Sequence, residues 1–169
     1  MNRRVLTTAL VVATMMAFGG AAQAATTATA TGKLGKDPGP LTQSRCDAMA
    51  YSIDLLNQWA EGSKDPAAAK RFLTSADTVR TVGEWRGCKI TTTGSGSNAR
   101  TVATATGRSN FPGMKPATQA ECDGFASVLD SMEEGANAVK EDFGKKAIAS
   151  AQFVVMSTGE AKGCTFQSA

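Results

Sequence analysis

The sequence contains no histidine, and its four cysteines include no Cys-x-x-Cys pair. Histidine is the general base of conventional serine and cysteine triads, and histidine with paired cysteines supplies most zinc ligands. The chain also has neither a Gly-x-Ser-x-Gly nucleophile elbow nor a glycine-rich loop followed by Lys-Ser or Lys-Thr. We therefore expect no metal, no cofactor and no conventional catalytic set.

The chain also lacks a strong excess of either charge. It has 18 basic and 15 acidic residues, and Arg3 and Arg4 belong to a segment that we expect to be removed. The remaining chain carries 16 basic and 15 acidic residues. Nucleic-acid binding requires a basic field, so we expect no nucleic-acid partner.

Long apolar runs are missing beyond the first 24 residues, and that first segment has the features of a signal peptide. Arg3 and Arg4 precede an apolar run over residues 5–18, and residues 22–24 read Ala-Gln-Ala, a small-x-small cleavage site. The run is short for a membrane span. We predict that residues 1–24 are removed and that a soluble protein beginning at Ala25 is exported to a bacterial periplasm or medium.

What the chain does contain is a repeat. Residues 42–88 open with Thr-Gln-x-x-Cys-Asp and close with Gly-Glu-x-x-Gly-Cys, and residues 118–164 do the same at an offset of 76 positions. We predict a first repeat over 25–92, a hairpin or linker over 93–117 and a second repeat over 118–169.

Four cysteines in an exported chain predict two disulfides. Three pairings are possible in principle, and the repeat selects the one that forms the same bond in each copy. We therefore predict Cys46–Cys88 and Cys122–Cys164, each closing a loop between the start of one helix and the end of the next.

Each repeat has the pattern of two amphipathic helices. Thr42 and Thr118 are placed as helix caps, and Thr118 with Glu121 forms a Thr-x-x-Glu capping box. The first apolar stripe recurs position by position in the second repeat. Its members are Cys46, Met49, Ala50, Ile53, Leu56 and Ala60, matched by Cys122, Phe125, Ala126, Leu129, Met132 and Ala136.

The second helix of each hairpin is predicted to end at a glycine, Gly83 or Gly159, in the left-handed conformation. The first of these helices starts at Asp65-Pro66. Leu73 is expected on its apolar side, and Phe143 on the apolar side of its counterpart in the second repeat.

Alternating Ala and Thr predict short strands beside the helices. We expect a β-hairpin from 89–93 and 99–106, while 25–34 fits a strand or a linker equally well. The predicted fold is helix-dominated α+β, with the order β-α-α-β occurring twice. We expect the two copies to pack as a pseudo-twofold unit whose strands form one small sheet.

Asp54 and Asp130 occupy equivalent positions and are the best candidates for a carboxylate site. Twofold packing would bring them into one cleft, where paired carboxylates can perform acid–base chemistry or bind calcium. The alternative is that both are solvated or paired structural residues. This pair motivates the hypothesis of a hydrolase.

Tyr51, Trp59 and Trp85 occur in the first repeat only, and their counterparts are Ser127, Gly135 and Ala161. Aromatic residues in one copy alone indicate a surface for a partner or ligand. Tyr51 is also a possible haem ligand, while Trp85 alternatively covers the disulfide.

These patterns favour an exported, non-enzymatic module that binds a protein or a small ligand. The alternatives are the carboxylate hydrolase and a protein that binds haem or another apolar ligand between the hairpins.

Overall fold

The computed structural model describes residues 25–95, 98–111 and 114–168, so the predicted signal segment lies outside the described residues. Within these ranges the elements follow the predicted order. They are β1 (Thr26–Ala30), α1 (Gln43–Gly62), α2 (Pro66–Trp85), β2 (Cys88–Thr93), β3 (Arg100–Ala105), α3 (Gln119–Ala138), α4 (Asp142–Ala161) and β4 (Cys164–Ser168). The fold is helix-dominated α+β, and the stretch that fits either a strand or a linker contains β1.

The strands in the described ranges form two separate antiparallel sheets, so the expectation of one small sheet is wrong. β1 pairs with β4, with Ala30 opposite Cys164. β2 pairs with β3, with Cys88 opposite Ala105. On the outer edges of β1 and β3, helix side chains bind backbone groups that a further strand would need.

Each sheet pairs a strand that precedes one helical hairpin with a strand that follows the other. β1 precedes the first helical hairpin but lies along α3 of the second, and β3 precedes the second hairpin but lies along α1 of the first. Each hairpin is thus covered by the strand that precedes the other. A hairpin of about 50 residues buries too little surface to be stable alone. The strand that precedes the other hairpin gives each hairpin a further packed layer.

Both disulfides join the predicted cysteines. Cys46 in the first turn of α1 is bonded to Cys88 at the start of β2, with the Cα atoms 5.7 Å apart. Cys122 and Cys164 are bonded in the same way in the second repeat, with a Cα separation of 5.6 Å. Each bond ties the two ends of a helical hairpin together.

The predicted apolar stripes form the core between the helices. All six members from α1 are buried, and five of the six from α3 are buried while Ala136 is partly buried. Leu73 and Phe143 are exceptions to the predicted apolar faces, because they are 50 % and 71 % exposed. They lie beside the buried stripes of their helices rather than within them.

The prediction that Gly83 and Gly159 end their helices is wrong. Both lie inside helices that continue to Trp85 and Ala161. A Cβ atom at Gly83 would lie 2.8 Å from Ile90 Cδ1, so the end of the Ile90 side chain would have to shift to accommodate it. The left-handed residue is Gly87, with φ of +84°, one position before the disulfide cysteine.

The helix starts also differ from one another. Thr118 and Glu121 form the predicted capping box at α3. Thr42 precedes α1, but its hydroxyl makes no capping bond and instead lies 3.2 Å from Ser44 Oγ. The third helical position here is Arg45, which offers no acceptor to complete a box.

Candidate functional site

The repeated Thr-Gln-x-x-Cys-Asp motif binds the edge of a strand. Gln43 donates from Nε2 to the carbonyl oxygen of Ala103 (2.8 Å) and accepts at Oε1 from the N–H of Ala105 (2.9 Å). The same Nε2 donates to Asp47 Oδ1 (2.7 Å), which fixes the orientation of the amide. The glutamine side chain therefore replaces a neighbouring strand at the edge of β3.

The second repeat makes the same contacts to β1. Gln119 donates from Nε2 to the carbonyl oxygen of Ala28 (2.7 Å) and accepts at Oε1 from the N–H of Ala30 (3.0 Å). Asp123 Oδ1 accepts the second Nε2 hydrogen bond at 2.7 Å. The motif thus has a structural explanation that does not require a catalytic role.

Asp54 and Asp130 complete these two arrangements. Asp54 Oδ2 accepts from the N–H of Thr101 near the start of β3 (3.0 Å), and Asp130 Oδ1 accepts from the N–H of Thr26 at the start of β1 (2.9 Å). We call each set a strand clamp. The first consists of Gln43, Asp47 and Asp54, and the second of Gln119, Asp123 and Asp130.

The two carboxylates bind different strands and do not share the cavity that lies beside Asp130. This cavity has a volume of about 480 Å³, lies between β1 and α3, and has no Asp54 in its lining. Asp54 Oδ1 is buried and has no hydrogen-bond partner within the described ranges. Asp54 and Asp130 make equivalent contacts to two different strands, and these contacts give no geometric support to a shared acid–base pair.

Trp59 is a core contact between the repeats. Its ring lies directly against the backbone of Gly135 in α3, where any Cβ atom would overlap it, and it contacts the ring of Phe72 at a centroid distance of 5.8 Å. Trp59 is only partly buried but packs against the main core. The structure therefore assigns this tryptophan to packing rather than to an open surface.

Tyr51 contacts the start of α4. Its ring meets Phe143 edge-on, at a centroid distance of 5.6 Å, and its hydroxyl lies close to Gly144. Tyr51 is half-buried and Phe143 is mostly exposed. We call Tyr51 and Phe143 the aromatic patch.

Trp85 lies beside a lysine of the second repeat. The Lys162 ammonium is 4.7 Å from the centre of the Trp85 ring and 2.9 Å from Glu121 Oε1. The pKa of Glu121 is lowered, first because its carboxylate accepts from the N–H of Thr118 and second because it binds Lys162. Tyr51, Trp59 and Trp85 thus make three different contacts with the second repeat.

Arg86 is a buried charge that the sequence patterns did not single out. It is 1 % exposed and donates to the carbonyl oxygens of Pro38 and Gly39 and to the hydroxyls of Ser157 and Thr158. Lys162 is the equivalent residue of the second repeat and is also buried. A basic residue before Gly-Cys in both copies is the signal that points to these positions.

The surroundings of Arg86 oppose its charge. Burial lowers the pKa of Arg86 from its ordinary value, the charge of Arg45 lowers it further, and the carboxylate of Asp37 raises it. Arg45 lies over the ring of Phe153, with its guanidinium carbon 5.0 Å from the ring centre. The hydrogen bonds to Arg86 therefore serve to hold a cation that its surroundings disfavour.

In the described part of the chain, no group of three or more Cys, Asp or Glu side chains is arranged to bind a metal ion. Among the same residues, no helix is long and apolar enough to span a membrane. No family model, no curated protein and no solved structure matches the chain.

Proposed function

We propose that this protein is an exported, non-enzymatic binding module that recognises another protein through the aromatic patch. The observation that carries the proposal is the position of Phe143, which is 71 % exposed while its ring is held edge-on against Tyr51. Aromatic side chains of restricted mobility are the usual anchors of protein interfaces, because little conformational entropy is lost when they bind.

Export is supported by the sequence of residues 1–24 and by the two disulfides. Disulfides persist in oxidising compartments such as the periplasm or the medium, and they are rare in the reducing cytosol. The pattern Arg-Arg, apolar run, Ala-Gln-Ala is typical of a signal peptide.

The strand clamps support a non-enzymatic role. Asp54 and Asp130, the candidates for hydrolytic chemistry, each bind a backbone amide of a different strand. The haem alternative uses Tyr51 as a possible axial ligand, and the Tyr51 hydroxyl lies close to Gly144. Both alternatives therefore rank below the binding module.

The test is site-specific photo-cross-linking in the producing cell. A photoreactive phenylalanine analogue is placed at position 143 and, as a matched control, at position 73, where Leu73 is an exposed apolar residue on α2. We expect a discrete cross-linked protein from position 143 that is absent from position 73 and disappears with Tyr51→Ala. Equal products from both positions, or none from either, would contradict the proposal.

Two further measurements address the alternatives. Hydrolysis of a substrate panel that is abolished by Asp130→Asn but not by Phe143→Ala would favour the hydrolase. A shifted Soret band on titration with haem, lost in Tyr51→Phe, would favour the haem protein.

A further inference from the structure

The first strand begins one residue after the predicted cleavage site. Thr26 donates its N–H to Asp130 Oδ1 at 2.9 Å, and Ala25, the residue before it, is exposed. One residue spans at most about 3.6 Å, so the nitrogen of Ala25 lies within about 6.5 Å of that carboxylate oxygen. Cleavage after Ala24 would therefore create a new chain terminus beside Asp130.

The cavity that begins at Thr26, the residue next to Ala25, is acidic. The cavity between β1 and α3 is lined by three carboxylates of α3, from Asp123, Asp130 and Glu134, and by one cation of α2, Arg71. Arg71 lies 3.7 Å from Glu134, so it offsets one of the three negative charges. β4, the strand paired with β1, has no charged side chain. The net charge of the lining favours a cation.

Ser127 explains why there is space here. It lines the cavity at the position that Tyr51 occupies in the first repeat, and its side chain is much smaller. The first repeat has no chain terminus at the corresponding place, because β3 continues from the preceding loop. The open cavity and the predicted terminus thus both lie where β1 meets α3.

We propose that the cavity between β1 and α3 is the binding site for this chain's own α-ammonium group, which forms when the signal segment is removed. A signal peptidase would hydrolyse the Ala24–Ala25 peptide bond with one water molecule, leaving a carboxylate on Ala24 and an amine on Ala25. The amine takes up a proton at neutral pH. The resulting cation pairs with the carboxylates of α3 and fastens β1 to the second hairpin.

This pairing makes the stability of the protein depend on pH through the charge of its N-terminal amino group. An α-amino group has an ordinary pKa of about 7.7–8.0, and neighbouring carboxylates raise the pKa in the folded protein. The contribution is therefore complete below the pKa of the unfolded chain and is lost as the pH rises through the folded pKa. A terminus placed farther from Asp130 would lose this dependence.

The inference rests on the export signal in the proposed function, so the first measurement is the mass of the N-terminus of the secreted protein. A chain that begins at Ala25 is expected. Export with cleavage at another residue would overturn the inference while leaving the proposed export intact, and a retained segment 1–24 would contradict both.

The second measurement compares unfolding by urea from pH 6 to pH 10 for the chain that begins at Ala25 and for one extended by three residues to Ala22. From pH 7 to 9.5 we expect the unfolding equilibrium constant of the Ala25 chain to rise by about three- to tenfold more than that of the extended chain. Parallel profiles would overturn the proposal.

Asp54 supplies a matched control for the role of Asp130. Asp130→Asn should abolish the difference between the two chain lengths, because it removes the negative charge of the carboxylate that binds the N–H of Thr26. Asp54→Asn removes the equivalent negative charge beside β3, far from the terminus in the chain, so the difference should remain. If both substitutions abolish it, or neither does, Asp130 is not the partner of the terminus.

Discussion

Trp59 lies against Gly135, the residue that occupies the same position in the second repeat. The two copies therefore meet through equivalent positions that carry side chains of opposite size. Two tryptophans would overlap at this contact, and two glycines would leave a cavity. The divergence of the first repeat at Trp59 is explained by packing between the repeats, because a large residue in one copy requires a small one in the other.

Gly135→Ala is expected to destabilise the protein by about 1–3 kcal/mol, because a Cβ atom at this position overlaps the Trp59 ring. The control is Gly124→Ala in the same helix, where a Cβ atom meets nothing within 4 Å. Alanine at that position should raise the stability by up to about 1 kcal/mol through helix propensity. Urea unfolding measures both values, and equal effects would contradict the packing role of Gly135.

Gln43→Ala is expected to lower the stability by about 1–3 kcal/mol, because it leaves the carbonyl of Ala103 and the N–H of Ala105 without their partner. Amide hydrogen exchange should show faster exchange at Ala105. Gln58→Ala is the control, since Gln58 is an exposed glutamine of the same helix. Unchanged exchange at Ala105 in the Gln43 variant would rule out the clamp.

Arg86→Met is expected to cost about 2–4 kcal/mol, because four acceptors lose their buried donor. Arg86→Lys should recover only part of this loss, since an ammonium cannot reproduce the geometry of the guanidinium. Lys70→Met, at an exposed position of α2, should stay within about 0.5 kcal/mol of the parent protein. A loss for Arg86→Met as small as that for Lys70→Met would contradict the structural role of Arg86.

Glu121→Gln tests whether the charge of Glu121 makes the unfolding free energy depend on pH in acid. The pKa of Glu121 is lowered by the N–H of Thr118 and by Lys162, so its charge stabilises the folded state above the pKa of the unfolded chain, about 4.3. This contribution is lost as the pH falls through the lower, folded pKa. The gap in unfolding free energy between parent and variant should therefore be present at pH 7 and narrow below about pH 4. A gap that is constant across this range would mean that the charge of Glu121 does not contribute.

The elements and disulfides could be predicted from the sequence because each follows from local chemistry or from the repeat. The structure contains the apolar stripe from Cys46 to Ala60 and the capping box at Thr118. It also contains the predicted disulfide, formed in the same way in each repeat. The pseudo-twofold packing of the copies stays a prediction.

The covering of each hairpin by the strand that precedes the other could not be predicted in the same way, because it depends on contacts distant in sequence. Nothing local distinguishes β1 lying along α3 from β1 lying along α1, because β1 consists only of Ala and Thr, and Ala and Thr also make up most of β3. For the same reason the sequence pattern does not show which backbone groups Gln43 binds, although Gln43 recurs as Gln119 in the second repeat. A polar residue retained in both copies next to an apolar stripe is a sign of a backbone contact.

The aromatic residues show why a pattern of unique side chains does not define one surface. Tyr51, Trp59 and Trp85 share a repeat, but they contact Phe143, Gly135 and Lys162 respectively. Each of the three aromatic residues has a different neighbour in the second repeat, so they do not form one surface. Of the three, only Tyr51 lies beside a largely exposed ring, that of Phe143. The proposed partner surface is accordingly reduced to the aromatic patch.

Each helical hairpin is covered by the strand that precedes the other hairpin, and deletion of β1 tests this arrangement most directly. Amide hydrogen exchange is measured for the chain that begins at Ala25 and for a chain that begins at Lys33, after β1. We predict that protection is lost first in α3 and β4 of the second repeat, while α1 and α2, which are next to the deleted strand in sequence, keep their protection. Loss of protection mainly in α1 and α2 would contradict it.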